Sequence, residues 1–154
     1  MRADGRVQPD LAIMTREHGD VGGGSARETS GVVVAAGLES GFAITADGSV
    51  WSWGYGFDGR HGHGDERNRL KPERIQGFPA GARMRSVAAY AHTLALDFTG
   101  RVWAWGCNWY GQVGDGTRTH RLRPVRLEGL ERIVGVDAGD SHSLAVAADG
   151  MLFS

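Results

Sequence analysis

The hexapeptide Ser49-Val50-Trp51-Ser52-Trp53-Gly54 returns as Arg101-Val102-Trp103-Ala104-Trp105-Gly106, 52 residues downstream. A second block behaves alike: Val34 to Ile44, Ser86 to Leu96 and Val136 to Val146 are three copies of one pattern, with His92 and His142 50 residues apart and Ser40 in their place in the first copy. Self-similarity at a period of about fifty residues points to stacked supersecondary units, each unable to bury its own apolar face.

Within a unit the periodicity is two rather than 3.6. Phe42 and Ile44, Leu94 and Leu96, and Leu144 and Val146 alternate with small residues, as in strands. Asp47-Gly48, Thr99-Gly100 and Asp149-Gly150 follow as turn pairs, the glycine suiting the positive φ of a tight hairpin. Trp51 and Trp53 are two apart and so share a sheet face, as do Trp103 and Trp105; each pair is expected to be covered as a plug between units. Gly54 and Gly106 end their strands where a side chain would obstruct the turn. The following loops also match, Gly59 to Asp65 with Gly111 to Thr117, as do Lys71-Pro72-Glu73-Arg74-Ile75 and Arg123-Pro124-Val125-Arg126-Leu127. This last piece reads as an outer strand with proline at its start. The first unit is thus expected to hold strands at Val32–Ala36, Phe42–Thr45, Val50–Trp53 and roughly Glu73–Gln76, with no helical periodicity.

These residues resemble the regulator of chromosome condensation repeat family, whose unit reads approximately V-x-x-G-x-x-H-[ST]-L-A-L-x-x-D-G-x-V-x-x-W-G-x-N-x-x-G-Q-L-G-x-G. Arg101 to Gly116 and Val136 to Gly150 between them cover nearly all of it. Departures are Ser40 at the repeat histidine, His61 at an apolar place, and Tyr90 near the usual glycine. The resemblance implies an all-β chain: a partial β-propeller of four-stranded antiparallel blades, with about two full blades and part of a third. Units are expected at about 34–86, 87–135 and 136–154. Residues 1–31 read either as a flexible lead-in or as a degenerate repeat. A closed ring needs at least four blades, on the order of 200 residues, so the chain is expected to be a fragment of a larger propeller or to self-associate through open blade edges. The family serves as a protein-binding platform and, in one branch, as a guanine-nucleotide exchange factor for a small GTPase; these are the implied partners.

Composition narrows the chemistry. The net charge of −1, from 17 basic and 18 acidic residues, makes nucleic acid a poor default partner and gives an anionic membrane nothing to attract. No apolar run is long enough to span a bilayer. Carbohydrate or chromatin binding has no residue signature. A lone cysteine, Cys107, forms no internal disulfide and fits a reducing compartment, so an intracellular location, cytoplasmic or nuclear, is expected. His61-x-His63 lacks nearby further ligands. His92 and His142 occupy one repeat position, which favours a hydrogen bond tying neighbouring strands over general-base catalysis. Cys107 has no identified base beside it, and no phosphate-loop or nucleophile-elbow spacing is found. The expectation is no enzyme, no cofactor and no metal.

The loops after Gly54 and Gly106 are the remaining candidates. Trp109 and Tyr110 stand where the first copy has Phe57 and Asp58, and Arg60, Arg67, Arg118 and Arg121 fall in or beside the same loops. Aromatic and guanidinium groups together suit a partner-binding hot spot; a solvated loop is the bland alternative.

Overall fold

The computed structural model describes residues 32–154, so the expectation for residues 1–31 lies outside the described residues. The strands are β1 (Val33–Gly37), β2 (Ser40–Ile44), β3 (Val50–Gly54), β4 (Arg69–Arg74), β5 (Met84–Ala89), β6 (His92–Asp97), β7 (Val102–Gly106), β8 (Arg121–Arg126), β9 (Ile133–Ala138), β10 (Ser143–Ala147) and β11 (Leu152–Phe153). They form two four-stranded antiparallel sheets, β1-β2-β3-β4 and β5-β6-β7-β8, and a three-stranded one, β9-β10-β11. Register repeats with the sequence: Trp51 pairs with Ala43 and Trp53 with Gly41, as Trp103 pairs with Ala95 and Trp105 with Thr93.

The central sheet is covered on both sides, which is why every residue of β6 and β7 is buried. One face carries Val87, Ala95, Trp103 and Trp105 against Phe42, Ile44, Val50 and Ile75 of the first sheet. The other carries Leu94, Leu96, Val102 and Ala104 against Ile133, Ala145 and Ala147 of the third. Phe78, in the β4–β5 connection, sets its edge on Trp103 at 5.6 Å and on Trp105 at 6.0 Å between ring centroids. Edge-to-face geometry of this kind adds about 1 kcal/mol per pair beyond burial. The first tryptophan pair departs from the expectation: Trp51 and Trp53 are only half-buried, because their face of the first sheet has no described sheet against it.

Two features of the strands differ from the sequence reading. The fourth strand begins at Arg69, not Glu73, and Pro72 lies inside it. Pairing runs Trp51 to Arg74 and Ser52 to Glu73, then jumps to Gly54 with Arg69. Pro72 falls at that irregularity on the outer strand, where its missing N–H removes no ladder bond, and β8 repeats the arrangement. The hairpin turn of the middle copy also keeps its chemistry while exchanging its residues. In the first copy the Thr45 hydroxyl donates to Asp47 Oδ1 at 2.6 Å, and in the second Thr99 donates to Asp97 Oδ1 at 2.7 Å. Threonine and aspartate have swapped places, so Thr99 preserves the turn.

Gly54 and Gly106 adopt φ values of 103° and 102°. A Cβ on Gly54 would collide with the Glu39 carbonyl, and one on Gly106 would lie 2.9 Å from His92 Cα. The chain must pass this close to the preceding hairpin to launch the β3–β4 and β7–β8 loops.

Candidate functional site

The β7–β8 loop is organised by Asn108, which is fully buried. Its N–H donates to His120 Nδ1 at 2.9 Å, its Oδ1 accepts from the Val113 amide at 2.9 Å, and its Nδ2 donates to the Thr117 and Thr119 carbonyls at 3.1 and 3.0 Å. In the β3–β4 loop Gly56 stands in that place and donates to Asn68 Oδ1 at 2.9 Å. Each loop is further closed by an aspartate–arginine pair. Arg69 reaches Asp65 with two hydrogen bonds of 2.6 and 3.0 Å and holds its carboxyl well below the usual carboxylate range. Arg121 Nε donates to Asp115 Oδ2. Burial pushes the Asp115 carboxyl up, but hydrogen bonds from Thr117 and Arg121 outweigh it and leave it lowered.

The sheets are stitched along the bases of these loops. The Arg60 carbonyl accepts Trp105 Nε1–H at 2.9 Å and the Thr93 hydroxyl at 3.3 Å. One sheet later, Gln112 and Ser143 take the places of Arg60 and Thr93, and Ser143 Oγ donates to the Gln112 carbonyl at 2.6 Å. His92 Nε2 lies 2.8 Å from the same Ser143 oxygen. A hydroxyl has one proton to give, so His92 is the donor and carries its proton on Nε2. Burial, and then the neighbouring His142, lower its pKa from 6.5 to about 4, so it is neutral at pH 7. His142 is exposed, and among the described residues its ring makes no hydrogen bond.

His61 and His63 do not converge as ligands. His63 Nε2 meets Ser52 Oγ at 3.0 Å while that hydroxyl donates to the His61 carbonyl, also at 3.0 Å. The His61 ring fills the core place held by Val113 in the next copy, fully buried, with neither ring nitrogen hydrogen-bonded among the described residues. The glycine stretch around it serves packing: a Cβ on Gly62 would press on the Trp105 indole.

The six candidate binding residues divide. Arg60 is 5% exposed; it donates to the Phe57 and Leu38 carbonyls at 2.9 Å each and lies 5.4 Å from the Tyr55 ring centroid. It is a seam residue, not a surface one, because its long side chain is needed to satisfy carbonyls at the strand ends. Arg121 is only partly exposed and committed to Asp115. Arg67 and Arg118 are exposed. Trp109 and Tyr110 are 62% and 74% exposed, Trp109 standing edge-on to His120 at 4.6 Å. Phe57, 50% exposed and stacked on Tyr55 at 6.2 Å, joins them. Its equivalence to Trp109 in the repeat was the available signal.

Sequence reading did not find one grouping. Asp58, Cys107 and His120 bring their ligand-type atoms within 4.8 Å of one another. Burial pushes the Cys107 thiol up, and the Asp58 carboxylate pushes the same way, so it is no activated nucleophile. Among the described residues no helix is long and apolar enough to cross a membrane.

Comparison with known proteins places this geometry. The regulator of chromosome condensation (RCC1) repeat profile matches residues 47–96 and 99–146, and a second profile of the same repeat matches residues 32–60. The chain is 40% identical over 115 residues to the human E3 ubiquitin-protein ligase HERC2 and 39% identical over 124 residues to the ultraviolet-B receptor UVR8 of Arabidopsis thaliana. These alignments take in 73% and 79% of this chain but 2% and 28% of those proteins. The crystal structure of yeast RCC1 (Prp20) bound to Kap60 is similar with a TM-score of 0.69 and 28% identity, over 78% of this chain and 30% of that one. The sheets match part of a propeller.

Proposed function

The chain belongs to the regulator of chromosome condensation repeat family, and from that premise we propose that residues 32–154 are a non-enzymatic, protein-binding set of propeller blades whose β3–β4 and β7–β8 loops form the recognition face. One observation carries this reading. A fold that buries Trp105 completely leaves Trp109 and Tyr110 more than half exposed on a loop whose backbone and acidic groups are otherwise satisfied internally. Rigid aromatic side chains on a pre-organised loop give contact area at low entropic cost, and the exposed Arg118 of the same loop and Arg67 of the β3–β4 loop suit carboxylates of a partner. Yeast RCC1 has been crystallised with a protein partner, Kap60, which supports the class of ligand.

The test is quantitative affinity capture with the wild-type chain and with Trp109→Ala, Tyr110→Ala and Arg118→Ala combined. The expected result is loss of the wild-type partner set with a thermal midpoint changed by less than about 2 °C, since surface substitutions cost little. Unchanged capture rejects the loop face. Guanine-nucleotide exchange is the alternative that the family carries; accelerated release of labelled GDP from a small GTPase would favour it over simple binding.

A further inference from the structure

We propose that Asp58, Cys107 and His120 form a zinc-type divalent metal site at the seam between the first and second blades. The proposal rests on this geometry and not on the reading of the loop face. The three side chains come from separate segments: Asp58 from the short 3-10 turn Phe57–Gly59 of the first blade, Cys107 from the residue after β7, and His120 from the residue before β8. Their sulfur, nitrogen and oxygen atoms nevertheless lie within 4.8 Å of one another.

The repeat itself does not ask for them. Their counterparts one unit away are Tyr110, Tyr55 and Asn68. A residue needed to hold every blade recurs in every blade, as Trp53 and Trp105 do; these three stand at positions that differ between the two copies. The Asp58 carboxylate makes the grouping more pointed. Its side chain is 9% exposed, it makes no hydrogen bond among the described residues, and the one basic atom paired with it there is His120 Nε2 at 3.5 Å. Asp58 is also held at φ 58°, a left-handed conformation in which a non-glycine residue is uncommon. A buried carboxylate aimed at an imidazole and a thiol, under strain and short of partners, is an arrangement that a cation completes.

The donor set selects the ion. Thiolate, imidazole and carboxylate together suit zinc over magnesium or calcium, and a water entering past the partly exposed His120 ring supplies the fourth tetrahedral position. On binding, the Cys107 thiol gives its proton to solvent and the resulting thiolate bonds the metal. His120 accepts the Asn108 amide on Nδ1, so its own proton sits on Nε2. That proton moves to Nδ1, freeing Nε2 for the metal at the expense of the Asn108 contact. A neutral hydrogen bond is small beside coordination to a metal. Gln112 Nε2, 3.7 Å from Cys107 Sγ, remains placed to donate to the thiolate as a supporting contact.

Cobalt(II) reports such a site through a thiolate-to-metal charge-transfer band. The reduced, metal-free full chain is titrated with Co2+, then with Zn2+, alongside Cys107→Ser, Asp58→Asn and His61→Gln/His63→Gln. The expected result is a band that saturates at one cobalt per chain, disappears in Cys107→Ser, weakens at least about tenfold in affinity in Asp58→Asn, survives in the double histidine variant and is bleached by zinc. In parallel, the Asn108 amide resonance of the wild type shifts on zinc addition. No charge-transfer band in the wild type, equal affinity in a folded Asp58→Asn, or loss of the band in the folded His61/His63 variant would each overturn the proposal. Should Asp58→Asn fail to fold, an unmoved Asn108 amide in the wild type would overturn it alone.

Discussion

Twice among the described residues a serine hydroxyl donates to a carbonyl and accepts from a histidine, at the buried Ser52 with His63 and at the half-buried Ser143 with His92. In both arrangements the ring donates from Nε2, because the hydroxyl proton is already given to a carbonyl. Burial first, then the neighbouring His63, lowers the His61 pKa from 6.5 to about 4, and His92 falls to about 4 for the same leading reason. A histidine whose pKa is depressed on folding binds fewer protons folded than unfolded as the pH falls below 6.5. Its contribution to stability is therefore complete above pH 6.5 and is lost as the pH drops toward 4, by about 3 kcal/mol per buried ring at the limit. Urea midpoints measured from pH 8 to pH 4 should fall through that window, and His61→Leu should flatten the fall. Because the His61 ring sits in a core place with no hydrogen bond to either nitrogen among the described residues, His61→Leu should also raise stability at pH 7 by about 1–2 kcal/mol; an unchanged or lower midpoint would show that the ring is satisfied by a partner. Recurrence pointed to a hydrogen bond for the repeat histidine; His92 makes one, while the exposed His142 ring makes none among the described residues. The burial of Arg60 was not, since spacing does not tell an arginine that turns back to strand-end carbonyls from one that faces solvent.

At the scale of the strand, the tryptophan pairs carry one sequence signature in two environments. Trp105 is fully buried and donates to the Arg60 carbonyl, whereas Trp53 is half-buried. Trp105→Phe keeps most of the apolar body but removes the N–H, and should cost about 2 kcal/mol in urea unfolding. Trp53→Phe should cost less than about 1 kcal/mol. Equal losses would contradict the assignment of Trp105, but not Trp53, to a closed seam. Alternation and turn residues made the inner three strands readable to within a residue or two, because each lies where period two is enforced by burial. The outer strand was misplaced because its irregular pairing at Pro72 and Pro124 breaks the alternation. The Thr–Asp exchange at the hairpin turn shows a related limit: the first two copies keep a hydroxyl and a carboxylate but not their order.

For the molecule as a whole, the repeat was enough to expect stacked sheets, and the sheets are stacked by the residues that repeat. What joins across a seam was harder to read. Asp58, Cys107 and His120 are separated by up to 62 residues, and only the docking of one blade on the next brings them together. The recognition face proposed above depends on the same docking, since loops can hold Trp109 and Tyr110 outward only if the blades beneath them do not slide. Hydrogen exchange of the indole and loop protons tests that dependence most directly. With the five tryptophan indoles resolved, the Trp105 N–H and the Val113 amide should exchange only through opening of the blade stack, slowly and together, while the Trp109 N–H exchanges at the rate of a solvated indole. Exchange of Trp105 as fast as Trp109 would contradict the account.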